Sequence, residues 1–313
     1  MVRPKFVYHA ARRGDRHPPS SLSGLADCLA AGASIVEVDI APLADGGFAL
    51  VHDVRLEHIS EGKGYVSTAT SAQIRGLHHR WHDAITDEPL DLLSEAVDLI
   101  EKYPSMAELQ LDLKPFRPLT DDVLGSLLRH VAPVKARVRV SCVADWAIRR
   151  LAALDGDQPP EGEPPEGGLP PEDGLPLGFD PLLYLDVERG DARQEARQEA
   201  APPLRTGAYG YLDEHPLALA RWGAPGDYLA ARAEALWTQA PVAMWYIRGA
   251  LLARALDDGF DWIAWLHDRG AQVTAWTLDA SHAHQLDLAR TLVKAGVDRI
   301  TTNDAGALAR ALG

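Results

Sequence analysis

The sequence predicts an α/β chain folded as one (β/α)8 TIM barrel, with a small insertion after the second strand. Three observations lead there. Strand-like and helix-like segments alternate over most of the 313 residues. Eight strand-like segments are followed by helical sequence, as parallel crossovers require. Ionisable residues gather at the C-terminal ends of the early strands, where barrel loops converge. A doubly wound open sheet is the competing arrangement, but no glycine-rich nucleotide loop follows the first strand.

The elements read in order as follows. Residues 5–9 (KFVYH) form the opening strand. Leu22, Leu25, Ala26, Leu29 and Ala30 recur at helical spacing, with Ser20 or Ser21 placed to cap and Gly32 placed to stop. Residues 34–40 (SIVEVDI) read as the second strand. Phe48 follows so soon after the turn signal ADGG that Phe48 to Asp53 must fold back as a hairpin. Residues 54–88 are polar and mixed, and contain the run HHRWH at 78–82, read as surface. The 41–88 segment is therefore an insertion within a single domain spanning 1–313.

The repeating pattern resumes with a helix from about Asp91 to Tyr103 and the strand AELQLDLK ending at Lys114. A helix near 120–131 leads to the strand VRVSC (138–142), and another covers about 145–154. The remaining strands are read at 182–186 (LLYLD), 242–247 (VAMWYI), 272–278 (QVTAWTL) and 299–303 (RITTN), with helices after them. Residues 155–174 hold seven acids, five glycines, six prolines and no base. Such a composition cannot bury a core and reads as an acidic Pro/Gly-rich surface loop. The stretch 188–239, with its repeat ARQEARQEA, is longer than a barrel connection needs and should decorate the barrel.

Composition narrows function. Hydrophobic residues make up 46% and charged residues 24%, a soluble globular balance that excludes fibres and disordered chains. The formal charge of −14, from 45 acidic against 31 basic residues, repels phosphate backbones and argues against nucleic acid as partner. A phosphate-bearing small molecule stays open if a metal supplies local positive charge. Cys28 and Cys142 are the only cysteines, too few for a disulfide framework or a cysteine-rich zinc site. No apolar run approaches the ~18 residues of a membrane span, and MVRPKFVYHA lacks a secretory signal's apolar stretch. The expected location is the cytoplasm; the oligomeric state stays open.

At the strand ends stand His9, then Glu37 and Asp39, then His52 and Asp53 on the hairpin, then Asp112 and Lys114, and late in the chain Trp276 and Thr277. Glu37 and Asp39 are two residues apart and share one face of their strand, and Asp112 and Lys114 repeat that geometry. Carboxylates converging without equivalent bases repel one another unless a cation sits among them, and oxygen donors suit Mg²⁺ or Ca²⁺. Taken singly, each has a plainer use: Lys114 can pair with Asp112 or Glu37, and Trp276 can be core.

The succession YHA (8–10), VEVDI (36–40), ALVHD (49–53), LDLK (111–114), AWTLD (275–279) and GVDRITTND (296–304) resembles the glycerophosphodiester phosphodiesterase family. The resemblance covers nearly the whole chain outside the acidic loop and the 188–239 stretch. It implies a phosphodiesterase barrel with an insertion after the second strand, hydrolysing glycerophosphodiesters to glycerol 3-phosphate and an alcohol with one divalent cation, Mg²⁺ or Ca²⁺. His9 and His52 match its catalytic histidines, and Glu37, Asp39 and Asp112 its metal ligands. Lys114 matches a lysine near the phosphate; Trp276 and Arg13 are further candidates for substrate binding. Three positions depart from the pattern: Ala10 stands where an arginine is usual, Pro19 where a glutamate is usual, and Asp112 is one methylene shorter than the usual glutamate. Two other readings therefore stay open: a phosphodiesterase for a lysophospholipid or another diester, and a catalytically weak barrel that binds glycerophosphates.

Overall fold

The computed structural model describes residues 3–156, 174–185 and 225–313. The chain enters through β1 (Lys5–Tyr8) and β2 (Ile35–Pro42). It then leaves the barrel for the insertion, which carries β3 (Phe48–Ala49) and a hairpin of β4 (His78–Trp81) and β5 (Ala84–Pro89). After the helix Leu93–Glu101 come β6 (Glu108–Leu113), β7 (Val138–Cys142), β8 (Leu177–Phe179), β9 (Met244–Arg248), β10 (Gln272–Trp276) and β11 (Arg299–Thr302). The barrel runs β1-β11-β10-β9-β8-β7-β6-β2, every pairing is parallel, and β2 returns to β1 through Tyr8 and Val36. The eight-stranded ring is closed.

Side-chain alternation explains why these segments sit as they do. Val36, Val38, Ile40, Leu109, Leu111, Leu113, Trp245, Ile247, Val273, Ala275 and Ile300 turn outward into the main core beneath the helices. The residues between them face the barrel interior, which is filled in layers rather than left open. Near the N-terminal ends of the strands that filling is ionic. Glu108 accepts hydrogen bonds from Arg139 Nε at 3.2 Å and Arg299 Nη1 at 2.5 Å. Burial pushes the Glu108 carboxyl up, but the two guanidiniums win and hold it at about 2.

The helices begin and end where local chemistry demands. Ser21 caps Leu22–Ala30, its Oγ accepting the Gly24 N–H at 3.1 Å. Gly296, at φ 94°, takes the left-handed conformation that closes Ala283–Ala295. The insertion packs a separate small core, built from Ala41, Leu43, Ala49, Val51, Leu56, Val66, Ala69, Ile74, Leu90 and Leu92. β3 pairs antiparallel with the end of β2, Ala49 opposite Ala41, so the chain does fold back after ADGG.

One strand lies elsewhere than the sequence suggests. Over its described residues 182–185, the segment LLYLD is not β; Pro181–Leu183 is a single 3₁₀ turn, capped by Asp180 Oδ1 accepting the Leu182 N–H at 2.9 Å. Proline has no N–H for a ladder, and the strand instead occupies the preceding LGF. Leu177 and Phe179 face the outer core, and Gly178 faces the interior, where a Cβ would come 2.3 Å from Tyr246 Cε2. Gly178→Ala is therefore expected to cost about 1–3 kcal/mol through forced movement of a buried ring. A urea midpoint equal to the wild type's would show that Tyr246 moves freely. The acidic loop lies outside the described residues over 157–173, as does the 188–239 stretch up to residue 224. Beyond it the helix Pro225–Gln239 leads into β9.

Candidate active site at the barrel mouth

Glu37 and Asp39 on β2 and Asp112 on β6 share the interior face at the C-terminal end of the barrel. One carboxylate oxygen from each lies within 4.8 Å of the others. Register explains the meeting, since Asp39 sits directly opposite Asp112 in the β2–β6 pairing. Glu37 and Asp39 are buried, at 8% and 2% exposure, so their charges are poorly shielded by water. Burial raises the Glu37 carboxyl well above its usual range, and the charges of Asp39 and Asp112 add to the effect. Burial also pushes Asp39 up, but Lys114, His52 and His9 together bring it below its usual value. Lys114 Nζ lies 2.8 Å from Asp39 Oδ1 and 2.6 Å from Asp112 Oδ2. Those two carboxylates outweigh burial and hold its ammonium protonated.

The turn after β1 is laced across this acidic pair. Ala10 and Ala11 stand at φ 47° and 53°, a left-handed conformation that costs alanine about 1–2 kcal/mol per residue. What the strain secures is a hydrogen bond from the Ala10 N–H to Glu37 Oε2 at 2.7 Å. The Ala10 carbonyl accepts the Ser20 N–H at 2.7 Å. Ser20 Oγ in turn donates to Asp39 Oδ2 and accepts the Asp39 N–H, both at 3.1 Å.

His9 follows β1 directly. Its Nδ1 is 2.9 Å from Asn303 Oδ1, just past β11, and its Nε2 is 4.0 Å from Glu37 Oε2. Asp279 decides the sense of that contact. Its Oδ1 accepts the Thr302 hydroxyl and the Asn303 N–H, each at 2.8 Å, and its Oδ2 accepts the Asn303 Nδ2 at 2.6 Å. With the amide nitrogen committed to Asp279, Asn303 can only accept from His9. His9 therefore carries a proton on Nδ1 and turns Nε2 toward the carboxylates. His52, beyond β3, is more open at 64% side-chain exposure, with Nδ1 4.0 Å from Asp53 Oδ2.

The other candidates divide. Trp276 ends β10 at the mouth, half-buried, with Nε1 buried and without a hydrogen-bond partner. Arg13 is turned away to helix Leu22–Ala30, where Nη1 donates to Asp27 Oδ1 at 2.9 Å. Arg12 does not reach back either: it donates to Asp15 at 3.1 Å and lies 5.1 Å over the Trp81 ring of the insertion hairpin. In the HHRWH run, His79 is buried at 4% beside Asp91, while its neighbours are half-exposed. Sequence reasoning gave no site role to Asp279, Asn303, Ser20 or Arg248. Arg248 and Asn303 could have been found by extending the alternation of β9 and β11 to the strand ends.

Comparison with known proteins bears on the same stretch. Residues 13–146 match the model of the glycerophosphoryl diester phosphodiesterase family. That match covers less than half of the chain. A Mycobacterium tuberculosis protein named probable glycerophosphodiester phosphodiesterase 1 is 34% identical over 170 residues, 48% of this chain and 62% of that protein. Human glycerophosphodiester phosphodiesterase 1 is 34% identical over 93 residues, 28% of each chain. The matched region thus spans less than two thirds of these curated relatives. Among solved structures, an Oleispira antarctica phosphodiesterase in complex with the product sn-glycerol-3-phosphate shares the fold, with TM-score 0.62 and 18% identity over 99% of this chain and 97% of that one. A glycerophosphodiester phosphodiesterase from Parabacteroides distasonis gives TM-score 0.62 and 15% identity over 99% and 97% of the respective chains. Among the described residues no helix is long and apolar enough to cross a membrane.

Proposed function

We propose that this chain is a phosphoric diester hydrolase acting on glycerophosphodiesters, releasing glycerol 3-phosphate and an alcohol. The observation that carries the reading is the meeting of three carboxylates within 4.8 Å beneath a histidine whose Nε2 is aimed at them. The donor set fits a hard divalent cation, Mg²⁺ or Ca²⁺: three oxygens, two of them buried, with mutual repulsion that already raises Glu37. Glu37, Asp39 and Asp112 would hold the cation, which when bound polarises a phosphate oxygen and neutralises its charge.

The chain's own residues supply the proton transfers. His9, with Nδ1–H held by Asn303, can accept the attacking hydroxyl's proton at Nε2 as the new P–O bond forms. His52 is the candidate to protonate the departing alkoxide as the other P–O bond breaks. The two roles exchange if attack comes from the opposite side. Lys114 is fully engaged by Asp39 and Asp112, so it first serves to offset carboxylate charge at the phosphate site. The weaker alternative, a glycerophosphate-binding barrel, rests on Ala10 leaving the turn after His9 without a guanidinium.

Hydrolysis of a glycerophosphodiester panel with Mg²⁺, with Ca²⁺ and with excess chelator tests the reading. Activity is expected with cation and is expected to vanish with chelator; full turnover after removal of tightly held metal would overturn it. Asp39→Asn should weaken cation binding at least about tenfold by calorimetry. Because Glu37 must lose a proton to become a ligand, cation affinity should rise with pH through its elevated titration range. An affinity independent of pH would remove Glu37 from the ligand set.

A further inference from the structure

The turn that follows His9 is built against the preferences of its residues. Of the five non-glycine residues at positive φ among the described residues, three fall within it: Ala10, Ala11 and Ser20, at 47°, 53° and 54°. Such residues leave this conformation when nothing holds them, because Cβ crowds the backbone there. Two contacts of the site depend on its being kept, from the Ala10 N–H to Glu37 Oε2 and from Ser20 Oγ to Asp39 Oδ2.

The barrel restrains this turn through the Gly14 N–H, which donates to the Asn303 carbonyl at 2.8 Å. The insertion adds a second row of contacts. Near the tip of the β4–β5 hairpin, the Trp81 ring centroid lies 5.1 Å from Arg12 Cζ. There Asp15 is shared, with Arg12 Nη2 3.1 Å from Oδ1 and His82 Nε2 3.1 Å from Oδ2. At the hairpin base, Glu88 Oε1 lies 3.4 Å from His17 Nδ1, and Glu88 Oε2 accepts the Ser23 hydroxyl. One ladder joins the two groups, with Trp81 opposite Ala84 and His78 opposite Pro89.

We propose that the β4–β5 hairpin is a brace for the strained turn, with Trp81 and Glu88 as positioning residues for His9 and Glu37. Each contact is weak alone, being a cation–π contact or a partly exposed ion pair. Together they close two short intervals of chain. Ala10 and Ala11 lie between β1, which ends at Tyr8, and Arg12 under Trp81. Ser20 lies between His17 and Ser23, both on Glu88. The assignment rests on the phosphodiesterase reading above and gives the insertion a part in it.

The test uses the full chain in five forms: wild type, Trp81→Ala, Glu88→Ala, the two combined, and that double variant with Ala11→Gly added. Amide hydrogen exchange resolved by NMR reads the turn without cation or turnover. The Ala10 and Ser20 amides should exchange about 3–10-fold faster in each single variant, and faster still in the double, with β6 and β9 unchanged. For glycerophosphocholine, kcat should fall about 10–100-fold in the double variant with KM little changed, because a misplaced base costs chemistry rather than binding. Glycine enters the left-handed region freely, so Ala11→Gly should restore kcat about fivefold or more. Wild-type exchange and kcat in the double variant overturn the proposal. Faster exchange spread equally through β6 and β9 also overturns it, by making the hairpin a general stabiliser. A raised KM at unchanged kcat overturns it by placing the hairpin against substrate, and so does a loss that Ala11→Gly does not relieve. A wild-type protein that hydrolyses no diester sinks the phosphodiesterase reading, while the exchange comparison still decides the brace. If variants carrying Glu88→Ala fail to fold, exchange in Trp81→Ala decides alone.

Discussion

Replacing His9 by alanine is expected to slow hydrolysis of a glycerophosphodiester by roughly 10²–10⁴-fold, and His52→Ala by a similar factor. The loss should fall on kcat rather than KM, because proton transfer belongs to the transition state. The double variant should lose less than the product of the single losses, since the two groups act on one event. A p-nitrophenyl diester, whose leaving group needs no proton, should rescue whichever variant lacks the general acid and so fix the roles. Asn303→Leu should fall between wild type and His9→Ala: His9 remains, but nothing then accepts from Nδ1 to hold the ring in its orientation. Near-normal turnover by both His9→Ala and His52→Ala on a natural diester would show the histidines to be structural.

The largest expected stability effect lies at the opposite end of the barrel. Glu108→Ala would leave Arg139 and Arg299 facing each other, buried, without their shared carboxylate. Breaking a buried ionic group from one side costs about 3–5 kcal/mol, a large share of a typical domain's 5–15 kcal/mol. The same residue sets an acid limit. Its folded carboxyl is held at about 2, below the unfolded value near 4.5, so its contribution is complete above about pH 4.5 and drains away as pH falls toward 2. Thermal melts of the two proteins should therefore differ widely at neutral pH and converge in acid. A melting temperature that barely moves at neutral pH would mean that solvent reaches the two arginines and replaces the carboxylate.

Much of the architecture was legible because strand alternation leaves a mark one residue wide. In VEVDI and LQLDLK the acids fall on alternate positions between aliphatic residues, and that parity alone sends Glu37, Asp39 and Asp112 to the interior. The brevity of ADGG likewise forced the chain back on itself after β2. β8 was hidden because three residues containing a glycine, between prolines, carry no alternation that a reader can see. LLYLD looked more strand-like, yet Pro181 decides against it. The hydrogen-bond relay from Asp279 through Asn303 to His9 was hidden for a different reason. It joins residues from both ends of the chain, and no local pattern announces such a meeting. Arg248 escaped notice because MWYIR reads as a buried aromatic strand until the interior and exterior positions are separated.

His9 and Asn303 meet across 294 positions of sequence, held together by β1 lying beside β11. A ribosome releases β1 first and β11 last, so throughout synthesis the leading strand waits with one edge unmatched. During that interval His9 has no carbonyl oxygen from Asn303 to fix its ring, and the acidic cluster lacks its aligned base. Chemistry of the kind proposed here should thus be impaired in any incomplete chain that stops short of residue 303. Ring closure also brings together contacts of the greatest sequence separation, which makes it the slowest kind of folding step. Competence should therefore arrive late and all at once, and an assay during cell-free translation should show activity tracking finished chains rather than total nascent protein.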